Sequence, residues 1–390
     1  MTASRSLPIS LTLLWLIGVA LRLAILAVPP VIPALRAEFN LTGTEIGALS
    51  GAPIVIFAGA ALVGSRLVAR IGVVAAIVTG LLLTALGSAG RGAAIGTVSL
   101  LAATAVMGVG IGVAQPAMPA LVGRWLPRRI VLGTSVYTNG LLVGEILPVA
   151  LPWLFPVFAE SWRTTFVLWA VPIALVALLV LVTAPREGKT SVAEVSGRWW
   201  PDWPARDVWR IGLIFGGVGP LYFGTNAFLP GYLNEAGRPD LISPALTALN
   251  LGQLPASLLL IGFARHIERR AWPLVLAGVV GLLSLGVIAV TAGAATIVAA
   301  AVLGFAAGAA FALGLTLPPL LSAPQEVARV SAAMFTIAYA SSVIVAIICG
   351  GAWDVTGTAR FAFLPIALAV LPSILLAPTI PFKRQPNGRA

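Results

Sequence analysis

Long apolar runs alternate with short polar segments along almost the whole chain. An apolar run of about 20 residues crosses a bilayer as an α-helix, so this pattern predicts a bundle of membrane-spanning helices. Reading the runs between charge clusters and turn signals gives twelve spans. Their predicted cores are residues 10–34, 47–67, 72–89, 95–122, 132–155, 164–183, 208–233, 243–264, 272–292, 296–321, 329–352 and 360–380.

One polar segment, residues 184–207, is much longer than the others. It carries charges of both signs together with Trp199, Trp200 and Trp203, a composition typical of a membrane–water interface. The segment therefore predicts a cytoplasmic central loop between two six-helix bundles, residues 1–183 and residues 208–390.

Composition supports this interpretation, because 59% of the residues are hydrophobic, 9% are charged and the mean hydropathy is +1.02. We therefore expect an all-α membrane protein embedded in a lipid bilayer. The sequence pI of about 11.3 could indicate a nucleic-acid-binding protein, but the basic residues fall in short clusters between apolar runs. We expect no nucleic-acid partner.

The basic residues predict the orientation of the chain. With the N-terminus inside, 18 lysines and arginines lie in inside segments, and 5 lie in outside segments, namely Arg36, Arg91, Arg163, Arg238 and Arg360. Positive charge accumulates on the cytoplasmic side of membrane proteins. We expect a multi-pass protein of the bacterial inner membrane with both termini in the cytoplasm.

Several site types lack the residues that they need. A single cysteine, Cys349, and a single histidine, His266, exclude an intrachain disulfide and a histidine-cluster metal site. They also leave little material for the catalytic cluster of a membrane enzyme. No nucleotide-binding P-loop motif occurs, which argues against ATP-driven transport by this chain alone. We expect no enzyme activity, no cofactor, no metal and a monomer.

The two predicted halves resemble each other. Residues 105–112 read AVMGVGIG and residues 301–308 read AVLGFAAG, which places Gly108 opposite Gly304 and Gly112 opposite Gly308. Small residues four positions apart let membrane helices approach closely. Two six-helix repeats joined by a central loop predict a transporter whose substrate site lies near the midplane between pseudo-symmetric halves.

The segment S-R-L-V-A-R-I-G, residues 65–72, resembles the G-x-x-x-D-R-x-G turn of the major facilitator superfamily, with Ser65 and Ala69 replacing the first glycine and the aspartate. The match implies the major facilitator fold and a gating loop that uses Arg66, Arg70 and Gly72. Residues 124–133 are similar to the superfamily's loop between the fourth and fifth spans.

Three patches resemble the cyanate and nitroimidazole permease branch of that superfamily. They are an arginine-bearing first helix at residues 21–36, a seventh helix that ends in an aromatic-Leu-Pro turn at residues 222–237, and residues 249–256 of the eighth helix. The resemblance implies substrates that are small anions or small polar organic molecules.

Arg22 lies inside the first apolar run, where an arginine costs roughly 2.5–3.5 kcal/mol on insertion scales. Among 13 acidic residues, only Glu145 lies deep in a predicted span, so Arg22 and Glu145 are predicted to be the only buried charges. Three hypotheses stay open. The two charges form a permanent structural ion pair; or Arg22 binds an anionic substrate while Glu145 carries a proton or pairs with Arg22 when the site is empty; or one of them lies off the cavity.

Further polar residues on cavity-facing spans are candidate substrate contacts, each with the alternative of an ordinary helix–helix hydrogen bond. Tyr222 and Asn226 share one helix face, as do Asn250 and Gln253, and Asn139 adjoins Thr138, which lies on the face of Glu145. The candidate substrate-binding residues are Arg22, Tyr222, Asn226, Asn250, Gln253, Gln115, Asn139 and Tyr339.

The sequence thus predicts a secondary active transporter that moves a small polar solute by alternating access. We expect a small anion similar to cyanate, nitrate, nitrite or a carboxylate, in symport with a proton. The alternative is a proton-coupled exporter of small drugs or of neutral electronegative compounds such as nitroimidazoles. Cationic drugs would leave Arg22 without a role, and a receptor would carry a larger soluble domain than any loop here provides.

Overall fold

The computed structural model describes residues 7–25, 27, 31–40, 43–154, 161–184, 199–380 and 382. In this part of the chain the secondary structure is entirely helical, which confirms the all-α prediction. The α-helices are α1 Leu7–Leu23, α2 Ile32–Phe39, α3 Gly43–Ile71, α4 Val73–Gly92, α5 Thr97–Trp125, α6 Ile130–Leu154, α7 Trp162–Thr183, α8 Arg206–Gly216, α9 Thr225–Glu235, α10 Ile242–Leu251, α11 Gln253–Ile267, α12 Trp272–Val290, α13 Ala294–Leu321, α14 Val327–Thr356 and α15 Phe363–Leu376.

Ten helical segments of the described chain are long and apolar enough to cross a membrane. Helix α1 is apolar but shorter, at 17 residues. Exposed large side chains such as Leu86, Val182 and Leu283, each more than 60% accessible, project from these segments. In a bilayer such faces meet lipid tails, so their exposure carries no hydrophobic penalty.

The predicted first span, residues 10–34, is not one continuous helix. Helix α1 ends at Leu23, and α2 begins at Ile32 with a proline in its first turn. The sequence contains Pro29, Pro30 and Pro33. Prolines lack a backbone donor and disfavour helical geometry in the preceding residue, so this sequence disfavours a continuous helix across residues 28–33.

The predicted seventh span, residues 208–233, is also irregular. A π-helical turn, Pro220–Gly224, separates α8 from α9 and contains Tyr222. Pro220 cannot donate the regular backbone hydrogen bond, and a widened turn accommodates that loss. Single π-turns inside helices frequently mark functional positions.

The glycine pairs of the two repeats confirm the predicted close packing. A methyl group on Gly108 or Gly112 would press on Ile56, Phe57 or Ala60 of α3. On α13, a methyl group on Gly304 would overlap the carbonyl oxygen of Leu249, and one on Gly308 would lie 3.1 Å from Cβ of Gln253. In each repeat, therefore, these glycines pack against the span that is second in its half.

The chain forms two compact units. The first comprises Met1–Trp125, Val136–Asp202 and Pro324–Tyr339, and the second comprises Leu126–Ser135, Trp203–Ala323 and Ala340–Ala390. Of the predicted central loop, residues 184–207, the positions 185–198 lie outside the described residues. The predicted division at this loop stays a prediction.

Candidate substrate-binding site

Helices α1 and α6 of the first unit approach each other through glycines on both sides. A methyl group on Gly18 would overlap the carbonyl oxygen of Tyr137, and one on Gly144 would overlap the carbonyl oxygen of Val19. Gly140 is in the same position against the backbone of Trp15. Glycines 140 and 144 are four residues apart, which is the spacing that allows membrane helices to pack backbone to backbone.

This contact places Arg22 next to Glu145. The Nε atom of Arg22 lies 3.4 Å from Oε1 of Glu145, and the two side chains are 10% and 18% accessible. Removing one partner of a buried pair leaves an uncompensated charge, which is strongly destabilising. The geometry therefore brings together the two residues that sequence analysis singled out, while their role in transport stays a prediction.

Two tyrosines lie within electrostatic range of the Arg22 guanidinium, namely Tyr137 on α6 and Tyr339 on α14. The ring of Tyr339 stacks on Phe335 with centroids 5.6 Å apart and packs against Phe57 at 5.4 Å. All of these residues belong to the first unit. The ion pair of Arg22 and Glu145, the buried Tyr137 and the half-buried Tyr339 together make up the polar cluster of the first unit.

Tyr137 was missed by sequence analysis. Its side chain is 1% accessible, and its hydroxyl has no hydrogen-bond partner among the described residues. The sequence spacing gave no clear signal, because Tyr137 is eight residues before Glu145 and lies about 80° around the helix from it. Its place next to α1 is visible only in the structure, where the Tyr137 carbonyl faces Gly18.

Two other candidates of the first unit, Asn139 and Gln115, differ in their hydrogen bonding. The indole Nε1 of Trp15 donates a hydrogen bond to Oδ1 of Asn139 at 2.9 Å, which joins α1 to α6. Gln115 on α5 is 1% accessible, and neither of its amide atoms has a partner within the described chain. The contact of Asn139 matches the helix–helix alternative, whereas Gln115 has a buried amide with no structural bond in that part of the protein.

Three candidates of the second unit form a hydrogen-bonded cluster. The Tyr222 hydroxyl donates to Oδ1 of Asn250, and Nδ2 of Asn250 donates to Oδ1 of Asn226 at 3.2 Å. Nδ2 of Asn226 also donates to the Tyr222 carbonyl at 2.9 Å. Gln253 is buried and packs on Gly308. The predicted sharing of a face by Tyr222 and Asn226 is confirmed, and their substrate role stays a prediction.

The prediction that Arg22 and Glu145 are the only buried charges is wrong. Arg91, which was assigned to an outside segment, lies in the last turn of α4 and is 0% accessible. Its Nη2 donates to the carbonyl oxygen of Ala24 at 2.7 Å, and its guanidinium lies 4.3 Å from the ring centroid of Phe166. The carbonyl at the end of α1 and the aromatic face stabilise this cation, and neither is visible from the sequence.

The predicted gating loop makes contacts with the end of the central segment. The Ser65 hydroxyl donates to the Trp199 carbonyl at 2.7 Å, and the Arg66 guanidinium lies 5.4 Å from the Trp199 ring centroid. Gly72 has a φ of 87°, which explains a glycine at that turn. Arg70 is exposed. The gating role of Arg66, Arg70 and Gly72 stays a prediction.

The corresponding loop of the second unit carries an acidic helix cap. Oε1 of Glu268 accepts a hydrogen bond from the backbone N–H of Ile130 at 3.3 Å, at the start of α6. Burial raises the pKa of Glu268 above its ordinary value, while the backbone bonds to Ile130 and the charge of Arg269 oppose that shift. The carboxylate satisfies a donor that the first turn of a helix leaves open.

Comparison with known proteins agrees with this architecture. The family profile described as Major Facilitator Superfamily matches residues 14–347. The chain is 31% identical over 266 residues to the cyanate transport protein CynX of Escherichia coli K12, covering 67% of this chain and 68% of that protein. It is 25% identical over 363 residues to the uncharacterized transporter YycB of Bacillus subtilis 168, covering 91% and 88%.

Solved structures with the same fold include the human organic anion transporter MFSD10 and the Escherichia coli fucose:proton symporter FucP. MFSD10 has a TM-score of 0.76 at 15% identity and covers 96% of this chain and 100% of its own. FucP has a TM-score of 0.73 at 18% identity, with 96% and 99% covered. Identities this low concern the fold alone, and they confirm the predicted fold class across nearly the whole chain.

Proposed function

The chain belongs to the major facilitator superfamily, near its cyanate-transport branch, and on this premise we propose that it carries a small anion across the bacterial inner membrane by alternating access. The family consists of multi-pass membrane transporters of small molecules rather than enzymes. The proposed substrates are cyanate and anions of similar size, such as nitrite, nitrate and short carboxylates.

The buried pair of Arg22 and Glu145 carries the proposal. An arginine stays charged at any depth and offers a planar fork of donors that matches oxyanions and carboxylates. Because Nε of Arg22 lies 3.4 Å from the Glu145 carboxylate, the guanidinium already holds an anionic group of the kind that a substrate would present. A substrate anion binds by taking the place of that carboxylate.

Displacement of Glu145 suggests the coupling. A carboxyl group that loses its cationic partner in a buried site favours the protonated form. A negative-inside potential opposes anion entry by about 2.3 kcal/mol per charge per 100 mV, and one co-transported proton cancels that cost. Proton symport with Glu145 as the carrier therefore fits an importer.

The test is thermal stabilisation of purified protein by cyanate, nitrite, nitrate and formate salts, each compared with a neutral solute at equal osmolarity. We expect stabilisation by at least one anion in the wild type and its loss in Arg22→Ala. Arg210→Ala is the matched control, because it removes an arginine from an exposed pair with Asp207 and leaves the buried cluster intact.

Neutral electronegative compounds define the alternative function. If nitroimidazoles or small drugs stabilise the protein and do so equally in Arg22→Ala, the anion proposal is wrong, and proton-coupled export of such compounds replaces it. Glu145 would serve as proton carrier in both cases, so this result separates the substrates and not the coupling.

The orientation and the oligomeric state complete the proposal. The distribution of arginine and lysine supports cytoplasmic termini, and we propose a monomer as the transporting unit. The orientation can be tested by fusing to the C-terminus a reporter enzyme that works only in the periplasm. Activity of this reporter would contradict a cytoplasmic C-terminus. A dimer mass measured by light scattering of the detergent-solubilised protein would contradict the monomer.

A further inference from the structure

Tyr137 has a hydroxyl group that the described chain does not use. The side chain is 1% accessible, yet its oxygen has no hydrogen-bond partner among the described residues. Buried hydroxyls in native proteins are nearly always bonded to protein or solvent, since an unsatisfied one costs about 1–3 kcal/mol. A group outside the described residues, such as a bound solute or a water molecule, would satisfy this hydroxyl.

The groups around Tyr137 indicate which class of solute would bind there. Its backbone carbonyl touches Gly18 on α1, one helical turn before Arg22, and its side chain lies within electrostatic range of the Arg22 guanidinium. Tyr339, also in range of Arg22, lies within electrostatic range of Tyr137 as well. Two neutral O–H donors beside one permanent cation favour a ligand that only accepts hydrogen bonds and carries a single negative charge.

From this arrangement we propose that Tyr137 is a substrate-binding residue, which donates its hydroxyl proton in a hydrogen bond to the anion held by Arg22, with Tyr339 as the second donor. This inference rests on the proposed function and adds a residue to it. The anion replaces the Glu145 carboxylate at the guanidinium and satisfies the Tyr137 hydroxyl in the same event. The hydrogen bond made only in the bound state adds to affinity. A dianion would keep one uncompensated negative charge, because Arg22 is the single cation of this cluster.

Other tyrosines of the chain show the contrast. The Tyr232 hydroxyl donates to the carbonyl oxygen of Thr291 at 3.0 Å, and the Tyr222 hydroxyl donates to Asn250. The hydroxyls of Tyr232 and Tyr222 thus already donate hydrogen bonds within the protein. Tyr→Phe substitution removes one oxygen and keeps the ring, so Tyr232→Phe serves as the matched control for Tyr137→Phe.

The experiment measures melting temperature without added anion and anion affinity by titration, using the stabilising anion identified with the wild type. In Tyr137→Phe we expect an unchanged or higher melting temperature without anion and about tenfold weaker anion binding, which corresponds to ~1.4 kcal/mol. In Tyr232→Phe we expect a lower melting temperature and wild-type affinity.

A second variant replaces Tyr137 alone by 3-fluorotyrosine, whose hydroxyl is more acidic and is a stronger donor. Tighter anion binding in this variant is expected, and equal or weaker binding would show that the hydroxyl does not donate to the anion. Wild-type affinity in Tyr137→Phe, or a melting temperature lowered as in Tyr232→Phe, would overturn the inference while leaving the proposed function intact. If the wild type binds no anion, the proposed function fails and this inference fails with it.

Discussion

Glu145 has two possible roles, as a permanent ion-pair partner of Arg22 or as the proton carrier during transport. As a permanent partner it only neutralises Arg22 across the 3.4 Å contact, and as a carrier it must release Arg22 and bind a proton. The two roles require the same resting geometry. Measurements of proton coupling distinguish them.

For this residue we predict that Glu145→Gln abolishes accumulation driven by an inward proton gradient in proteoliposomes. Exchange of labelled for unlabelled anion should persist, because the amide mimics the protonated carboxyl and leaves Arg22 available. The readout is uptake with and without the imposed gradient, compared with Glu326→Gln, which alters a partly buried ion pair with Arg329 outside the polar cluster. Gradient-driven uptake that survives in Glu145→Gln would remove this residue as the carrier.

Arg91 illustrates how the same side chain is stabilised without an acid. Its guanidinium, 0% accessible, donates to the Ala24 carbonyl at 2.7 Å and, at 3.5 Å, to the Ser88 hydroxyl, and it lies over the face of Phe166. Because α1 ends at Leu23, the Ala24 carbonyl that accepts from Arg91 lies immediately after the last helical residue. The interruption of the first span and the burial of Arg91 are therefore parts of one local arrangement.

At the scale of elements, the contact between α1 and α6 sets the position of the polar cluster. Both helices contribute glycines where their backbones touch. No side chain lies between the two backbones there, so no side chain can rearrange to accept a larger residue. This packing sets the distance between the side chains of Arg22 on α1 and Glu145 on α6. A change in the separation of the helices should therefore appear in ligand binding as well as in stability.

For these elements we predict that Gly144→Ala lowers the melting temperature and weakens anion binding by about tenfold or more, a loss of ~1.4 kcal/mol or above. The added methyl group would overlap the carbonyl oxygen of Val19 and lie 2.9 Å from its Cα, which forces α1 away. Gly286→Ala is the control, since a methyl group there meets nothing within 4 Å and an alanine favours the helix. Equal behaviour of the two variants would contradict this explanation.

At the scale of the whole molecule, stability should depend on pH through two carboxylates with opposite shifts. Hydrogen bonds from Trp162 and Arg163 lower the pKa of Glu38 below its ordinary value of 4.5, and burial raises the pKa of Glu268 above it. The contribution of Glu38 is present above about pH 4.5 and is lost as pH falls through its folded pKa. The contribution of Glu268 is present below about pH 4.5 and is lost as pH rises through its folded pKa.

Melting temperatures measured from pH 4 to pH 8 should therefore separate Glu38→Gln from Glu268→Gln. Glu38→Gln should be less stable than the wild type at neutral pH, with the difference shrinking toward pH 4. Glu268→Gln keeps an oxygen that can accept the Ile130 N–H, so it should match or exceed the wild type at neutral pH and lose that advantage in acid. Parallel curves for both variants and the wild type would show that neither group titrates with a shifted pKa.

Much of the fold follows from the order of apolar and polar residues. Hydropathy and helix length are local properties, so the all-helical fold could be predicted by reading along the chain, and so could the close packing at Gly108 and Gly304. The interruption at Leu23 and the π-turn at Tyr222 were not predicted, although prolines stand at both places, because a proline in a membrane helix can also produce only a kink.

The sequence by itself determined the membrane class, the family resemblance and the importance of Arg22 and Glu145, because an ionisable residue in an apolar run is conspicuous without any structure. Only the tertiary structure decided that these two side chains meet, that Arg91 is buried and that the Tyr137 hydroxyl lies beside the cluster with no bond to the described chain. The physical reason is that a side chain's partner depends on the rotation and separation of packed helices. Those quantities arise from contacts between residues as far apart in sequence as Gly18 and Tyr137.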